Sequence, residues 1–147
     1  MNPFKRIIVA TDFTDSSKPA FEEAIELAQK NGSELLIGHA YQPPSMTEAN
    51  AVAPGVYDEW DRNLRIRVEQ KLQELVNDAK KAGVLARPLV LTGAPYEAIV
   101  DAAKENKADL VVMGTHGRKG VSRFFLGSVA SRVISTAPCP VMTVRAA

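Results

Sequence analysis

The chain has 147 residues, a size that fits one domain and buries roughly two thirds of its unfolded surface without a disulfide or metal staple. A formal net charge of +1, with 46% hydrophobic and 24% charged residues, gives no global field for nucleic acid or anionic lipid. Cys139 is the one cysteine and excludes an internal disulfide; no apolar run nears the roughly 20 residues of a membrane helix, and the first residues lack a signal peptide's apolar stretch, so the expected setting is cytoplasmic.

Short β-branched runs alternate with helical patterns along the chain. Arg6-Ile7-Ile8-Val9-Ala10 is a near-continuous apolar run of strand length. A helix is expected over 16–30, with Phe21, Ala24, Ile25, Leu27 and Ala28 on one face, Asp15 or Ser16 as its cap, Pro19 in its first turn and Asn31-Gly32 at its end. A second strand follows over 34–41. The segment 42–58 holds Pro43, Pro44, Pro54 and Gly55 with little periodicity, and reads as an irregular loop that either covers a site or is disordered. The longest helix, over 59–82, carries Leu64, Val68, Leu72, Leu75, Val76 and Ala79 in steps of three and four, leaving Arg62, Arg65, Glu69, Glu74 and Lys80 as a solvated face. A strand over 87–91, a helix over 96–106, a strand over 109–113, a short helix over 128–136 and a last strand over 141–144 complete the pattern. This βαβαβαβαβ order predicts one α/β domain over 1–147, an open parallel five-stranded sheet with helices on both faces.

In such sheets ligands bind beyond the carboxyl ends of the strands, where the winding reverses. The first strand ends in Thr11-Asp12-Phe13-Thr14, the second in His39-Ala40-Tyr41 and the fourth in Gly114-Thr115-His116-Gly117. Gly114 and Gly117 let the backbone turn close to a bulky anion, and Gly127-Ser128 offers amides and a hydroxyl where a helix dipole favours negative charge. Taken singly, each glycine is as well explained by a turn and Ser128 by a helix cap. Together they have the layout of a phosphate cradle, though on spacing alone the cradle and the purely structural reading stay open.

The arrangement Gly114-x2-Gly117-x9-Gly127-Ser128 resembles the ATP-binding motif of the universal stress protein family, G-x2-G-x9-G-(S/T). The likeness extends to Ile7-Ile8-Val9-Ala10-Thr11-Asp12-Phe13, to Ala108-Asp109-Leu110-Val111-Val112-Met113-Gly114 and to Ala137-Pro138-Cys139-Pro140-Val141. The resemblance implies a Rossmann-like fold with strand order 3-2-1-4-5, which also makes neighbours of the two strands that share the site. It implies ATP as ligand, together with Mg²⁺, with Asp12 on the ribose, backbone at Ala40 on the adenine, and Gly114, Gly117, Gly127 and Ser128 on the phosphates. Thr11, Met113, Arg118 and Val129 adjoin these positions and complete the candidate binding set. For Asp12 the competing role is a cap on the following turn.

Arg118, Lys119 and Arg123 fall in the excursion between the glycines, where they either neutralise phosphate or are simply solvated; Val121, Phe124, Phe125 and Leu126 are expected to anchor it to the domain or to a partner subunit. The chain lacks Gly-Lys-(Ser/Thr), has no glycine over 11–17, and ends its third strand in Leu91-Thr92-Gly93, which excludes a Walker-type NTPase, a dinucleotide-binding fingerprint and a phosphoacceptor receiver. His39, His116 and Cys139 have no zinc-ligand spacing, and Cys139 reads as an apolar filler. The alternatives are a slow ATP hydrolase, with His116 and Asp12 as its only nearby imidazole and acid, and a nucleotide-free interaction module. The last strand lies at the sheet border with only Arg145 to blunt it, and a homodimer through that edge is expected, as the resemblance also implies.

Overall fold

Ile7, Ile8 and Val9 are three consecutive residues with no exposed surface, a pattern that requires cover on both faces of their strand. The computed structural model, which describes residues 4–115 and 126–146, shows how that cover arises. The strand β1 (Arg6–Ala10) lies at the centre of a parallel sheet with β2 (Glu34–Tyr41), β3 (Leu85–Thr92), β4 (Leu110–Gly114) and β5 (Val141–Val144), in the order β3-β2-β1-β4-β5. Right-handed crossovers then dictate the layers. The first two leave β1 in one direction and carry α1 (Lys18–Asn31), the short α2 (Met46–Asn50) and α3 (Val56–Lys81); the next two run the other way with α4 (Pro95–Glu105) and α5 (Ser128–Thr136).

Alternation along the strands divides the core in two. Ile7, Val9, Leu35, Ile37 and Val112 pack with Phe21, Ala24, Val68 and Leu72 of α1 and α3. Ile8, Leu36, Val111 and Met113 pack with Ile99, Ala103, Ala130 and Val133 of α4 and α5. The order 3-2-1-4-5 and the helices on both faces are thus those expected.

Several boundaries differ. A 3₁₀ turn, Asp15–Ser17, precedes α1, so neither Asp15 nor Ser16 caps that helix; Ser17 stands at its N-cap and uses its hydroxyl to donate to Thr14 O at 2.8 Å. Pro19 and Gly32 behave as expected, Gly32 closing α1 at φ 64°. The segment 42–58 is not irregular throughout: Ser45 Oγ accepts from Glu48 N at 3.1 Å while Ser45 N donates to the Glu48 carboxylate at 2.6 Å, a capping box that starts α2. Tyr57 donates its hydroxyl to Pro44 O at 2.7 Å, and α3 begins at Val56, three residues before the expected start. β3 extends beyond the run over 87–91 at both ends, and holds Pro88 within it because it is an edge strand.

A polar clamp closes the amino edge of the sheet. Asp109 Oδ2 accepts from Lys5 N at 2.8 Å and Arg6 N at 2.9 Å. Glu34 accepts from Arg6 Nε at 3.2 Å and Arg87 Nε at 2.7 Å, and both guanidinium groups also reach Asn106. The Arg87 hydrogen bond, with help from Arg6, holds the Glu34 carboxyl below its ordinary range against the opposing effect of burial.

Candidate functional site

At the opposite edge, β1 stops before β2 does. Its last pair is Ala10 with Gly38, and Thr11 N donates to Gly38 O at 2.9 Å. That bond sets the parity of β2: the backbone groups of Gly38 face β1, and so do those of Ala40, at a level where β1 has already turned away. Tyr41 faces the other side, its carbonyl accepting from Gly93 N at 3.2 Å. Ala40 therefore presents an amide and a carbonyl side by side toward the crevice above β1, between β2 and β4. This is the point where the winding reverses.

The turn after β1 is cross-braced. Asp12 Oδ1 accepts from Thr14 N at 3.0 Å and also from the Thr14 hydroxyl. Phe13 N donates to Thr11 Oγ1 at 3.0 Å, and Ser17 N to Thr14 O at 3.1 Å. The turn-capping role of Asp12 is real, and it occupies one carboxylate oxygen, while Oδ2 has no hydrogen bond among the described residues. Phe13 adopts φ 64°, a region that bulky side chains rarely enter and that the surrounding hydrogen bonds enforce. His39 Nδ1 donates to Thr11 O at 2.7 Å, which fixes the proton on that nitrogen, and its ring lies 4.3 Å from that of Phe13. The sequence reading left His39 without a role; only the topology, which seats the end of β2 beside the β1 turn, reveals it as a positioning residue.

The third component is the start of α5. Gly127 is its N-cap residue, at φ −62° and ψ 157°, and among the described residues no side-chain hydrogen bond caps the helix. Gly127 N donates to Thr115 O at 2.6 Å, tying the helix start to the end of β4. The opening amides of α5, beginning at Ser128 and Val129, precede the first intrahelical donor, Ser131, whose N–H reaches Gly127 O at 3.0 Å. Ser128 is thus the first helical residue and not the cap. Gly114 departs from expectation too: it is still in β4, paired with Val144, so the chain does not turn there. Met113 is buried in the α4/α5 core and Val129 packs partly against it. The Thr11 hydroxyl is spent inside the turn.

Gly117 and Arg118 lie outside the described residues, as do His116, Lys119, Val121, Arg123, Phe124 and Phe125; Leu126, at the near end of that excursion, is 40% exposed. Among the described residues no three His, Cys, Asp or Glu gather in a metal-binding group, and no helix is long and apolar enough to cross a membrane. Burial, and secondarily Asp109, pushes the Cys139 thiol up.

A parallel sheet wound 3-2-1-4-5, with a crevice at its reversal and a helix start pinned above it, defines a Rossmann-like α/β domain. The chain belongs to the universal stress protein family, whose pattern matches residues 3–145. A universal stress protein of Thermus aquaticus is 39% identical over 145 residues, covering 97% of this chain and 99% of its own. Among solved structures, a universal stress protein in complex with cAMP superposes with TM-score 0.73 at 28% identity, covering 99% of each chain. The universal stress protein from Archaeoglobus fulgidus in complex with dAMP gives TM-score 0.67 at 26% identity, over 99% of this chain and 100% of that one.

Proposed function

We propose that this protein binds ATP with Mg²⁺ at the carboxyl edge of its sheet and acts as a nucleotide binder or switch in a stress response, with little turnover of its ligand. The observation that carries this reading is the start of α5: a helix N-terminus whose cap residue, Gly127, has no side chain to satisfy the opening amides, held by Thr115 beside the β1 turn. Such an end favours phosphate oxygens through both its amides and its dipole. The complexes of two relatives with cAMP and dAMP support an adenine nucleotide as the ligand class.

The donor set fits that ligand. The paired amide and carbonyl of Ala40 match the ring-nitrogen acceptor and amino donor on one edge of adenine. Asp12 Oδ2 suits a ribose hydroxyl, because a carboxylate only accepts and a sugar hydroxyl donates. Gly114, Ser128 and Val129, with Gly117 and Arg118 in the excursion, are proposed for the phosphates, and Met113 and Thr11 for the walls. ATP supplies the charge and Mg²⁺ shields it. The sequence has no Gly-Lys-(Ser/Thr) to set a lysine on the phosphates, which supports slow turnover.

β5 supports a homodimer. The Thr115 N to Val144 O bond, at 3.2 Å, sets Met142 and Val144 facing β4, so the amides of Val141 and Thr143 point out from the open edge. One cysteine with no internal partner suits a cytoplasmic setting. Titration calorimetry with ATP, with and without Mg²⁺, tests the central reading: saturable binding near the micromolar range, about 8 kcal/mol, is expected, and its absence overturns it.

A further inference from the structure

The turn after β1 has a second side. Phe13 packs on the α1/α3 face and there borders a cleft of about 260 Å³ that shares Thr11 alone with the residues proposed for the nucleotide. Phe13, Phe21 and Leu75 give the cleft an apolar lining, and Lys18, Lys71 and Glu74 are its exposed members. The volume is at the small end for a ligand site.

Three hydroxyls also line it, and their protons are all committed. Thr14 Oγ1 donates to Asp12, and Ser17 Oγ donates to Thr14 O at 2.8 Å. The 3.0 Å contact between Thr11 Oγ1 and Ser17 Oγ must then run from Thr11 to Ser17. The side-chain donors left to a ligand are therefore the two ammonium groups. Lys18 makes only a 3.6 Å contact with the exposed Asp15. Lys71 Nζ stands 5.2 Å above the centroid of the Phe13 ring and pairs with no carboxylate among the described residues. That contact parks a cation over an apolar floor.

We propose that this cleft is a second binding site, for a small organic anion with a phenyl-sized apolar body and one acid group. The body lies against Phe13, Phe21 and Leu75, and the acid meets Lys71 and Lys18 at the rim. In the lining itself two cations, one of them loosely paired with Asp15 at 3.6 Å, meet the single carboxylate of Glu74, a balance that favours an anion, and hydroxyls that can only accept do not compete for it.

The test is an amide-resolved NMR titration with 3-phenylpropionate, using the cation 3-phenylpropylamine as the control of opposite charge. Saturable shifts at Phe13, Thr14, Ser17 and Leu75 are expected at about millimolar 3-phenylpropionate. The amine should bind at least about tenfold more weakly. Lys71→Glu, on an exposed position that leaves the fold intact, should weaken 3-phenylpropionate about tenfold, and Leu75→Trp should fill the cleft and abolish its shifts. Absence of saturation, equal affinity for the amine, or unchanged binding in Lys71→Glu overturns the proposal. Nucleotide affinity is a separate readout, so failure of this site and failure of the nucleotide reading are distinguishable.

Discussion

Gly127 donates its amide to the carbonyl of Thr115 at 2.6 Å, and Thr115 donates its own to Val144 at 3.2 Å. Two bonds in series therefore connect the helix start proposed for phosphate with the edge strand proposed for dimerisation. A ligand drawn onto the α5 amides would meet a helix start that these bonds tie to the sheet.

This relationship makes Gly127→Val an informative variant. Valine tolerates φ −62° and ψ 157°, so the backbone keeps its shape and the melting temperature should change little. A branched side chain then occupies the approach to the opening amides. ATP affinity should fall at least about tenfold, about 1.4 kcal/mol, by calorimetry. Parent-like binding by a folded variant would show that phosphate lies elsewhere.

Asp12 has two roles that substitution can separate. Asparagine keeps an oxygen for Thr14 N and its hydroxyl, and so keeps the turn, but it loses the charge offered to a sugar. Asp12→Asn should retain stability and lose roughly tenfold in nucleotide affinity. Asp12→Ala should lose both, with about 1 kcal/mol of stability gone as well. Thermal melts run beside calorimetry distinguish the pair.

Steady-state turnover should be slow. The sequence has no Gly-Lys-(Ser/Thr) motif and no dedicated acid/base pair, so phosphate release should stay well below the roughly 1 to 10³ per second typical of enzymes. A rate inside that range that co-purifies with the protein, and falls on Asp12→Asn, would reclassify it as a hydrolase.

The clamp at Glu34 predicts an acid-sensitive fold. Its carboxyl is held below its ordinary value of 4.5 in the folded protein, chiefly by the hydrogen bond from Arg87. A depressed acid contributes stability that is present above its unfolded value and lost as pH falls through the folded one. The melting temperature of the parent should therefore drop more steeply below about pH 4.5 than that of Glu34→Gln, which lacks the titrating group. Parallel curves for the two proteins would remove Glu34 from the account.

Replacing Thr143 by proline removes an outward amide of β5 without touching the bonds to β4, which Met142 and Val144 supply. Sedimentation should show the parent as a dimer and the variant shifted toward monomer. A monomeric parent at high micromolar concentration rules out the edge-to-edge pairing.

The fold was legible because β1 and β4 are apolar on both faces and the helices carry clear stripes, so Ile7-Ile8-Val9 and the Leu64-to-Ala79 pattern announce buried strands and a long helix. The short α2 was missed, although Ser45 and Glu48 have capping-box spacing, because five residues show no periodicity. The site was legible in part. Gly127 and Ser128 stand at the helix start as spacing suggests, but the last strand pair, Gly114 with Val144, depends on where β5 happens to run. His39 was invisible for the same reason: its hydrogen bond to Thr11 O spans 28 positions of chain and exists only once β1 and β2 are aligned.

The clamp at the amino edge also acts as the zero mark of a ruler. Strands that are apolar on both faces lose little hydrophobic burial if they slip by a residue, so burial alone specifies their register weakly. Asp109 gripping the amides of Lys5 and Arg6, with Glu34 gripping Arg6 and Arg87, fixes that register at one end. Counted from there at about 3.3 Å per residue, Asp12, Ala40 and Thr115 arrive at the far edge at matched heights. A one-residue slip of β1 would move Asp12 by that same distance, more than the length of a hydrogen bond. The alignment of the crevice is thus set by charges at the opposite end of the molecule, which touch no ligand.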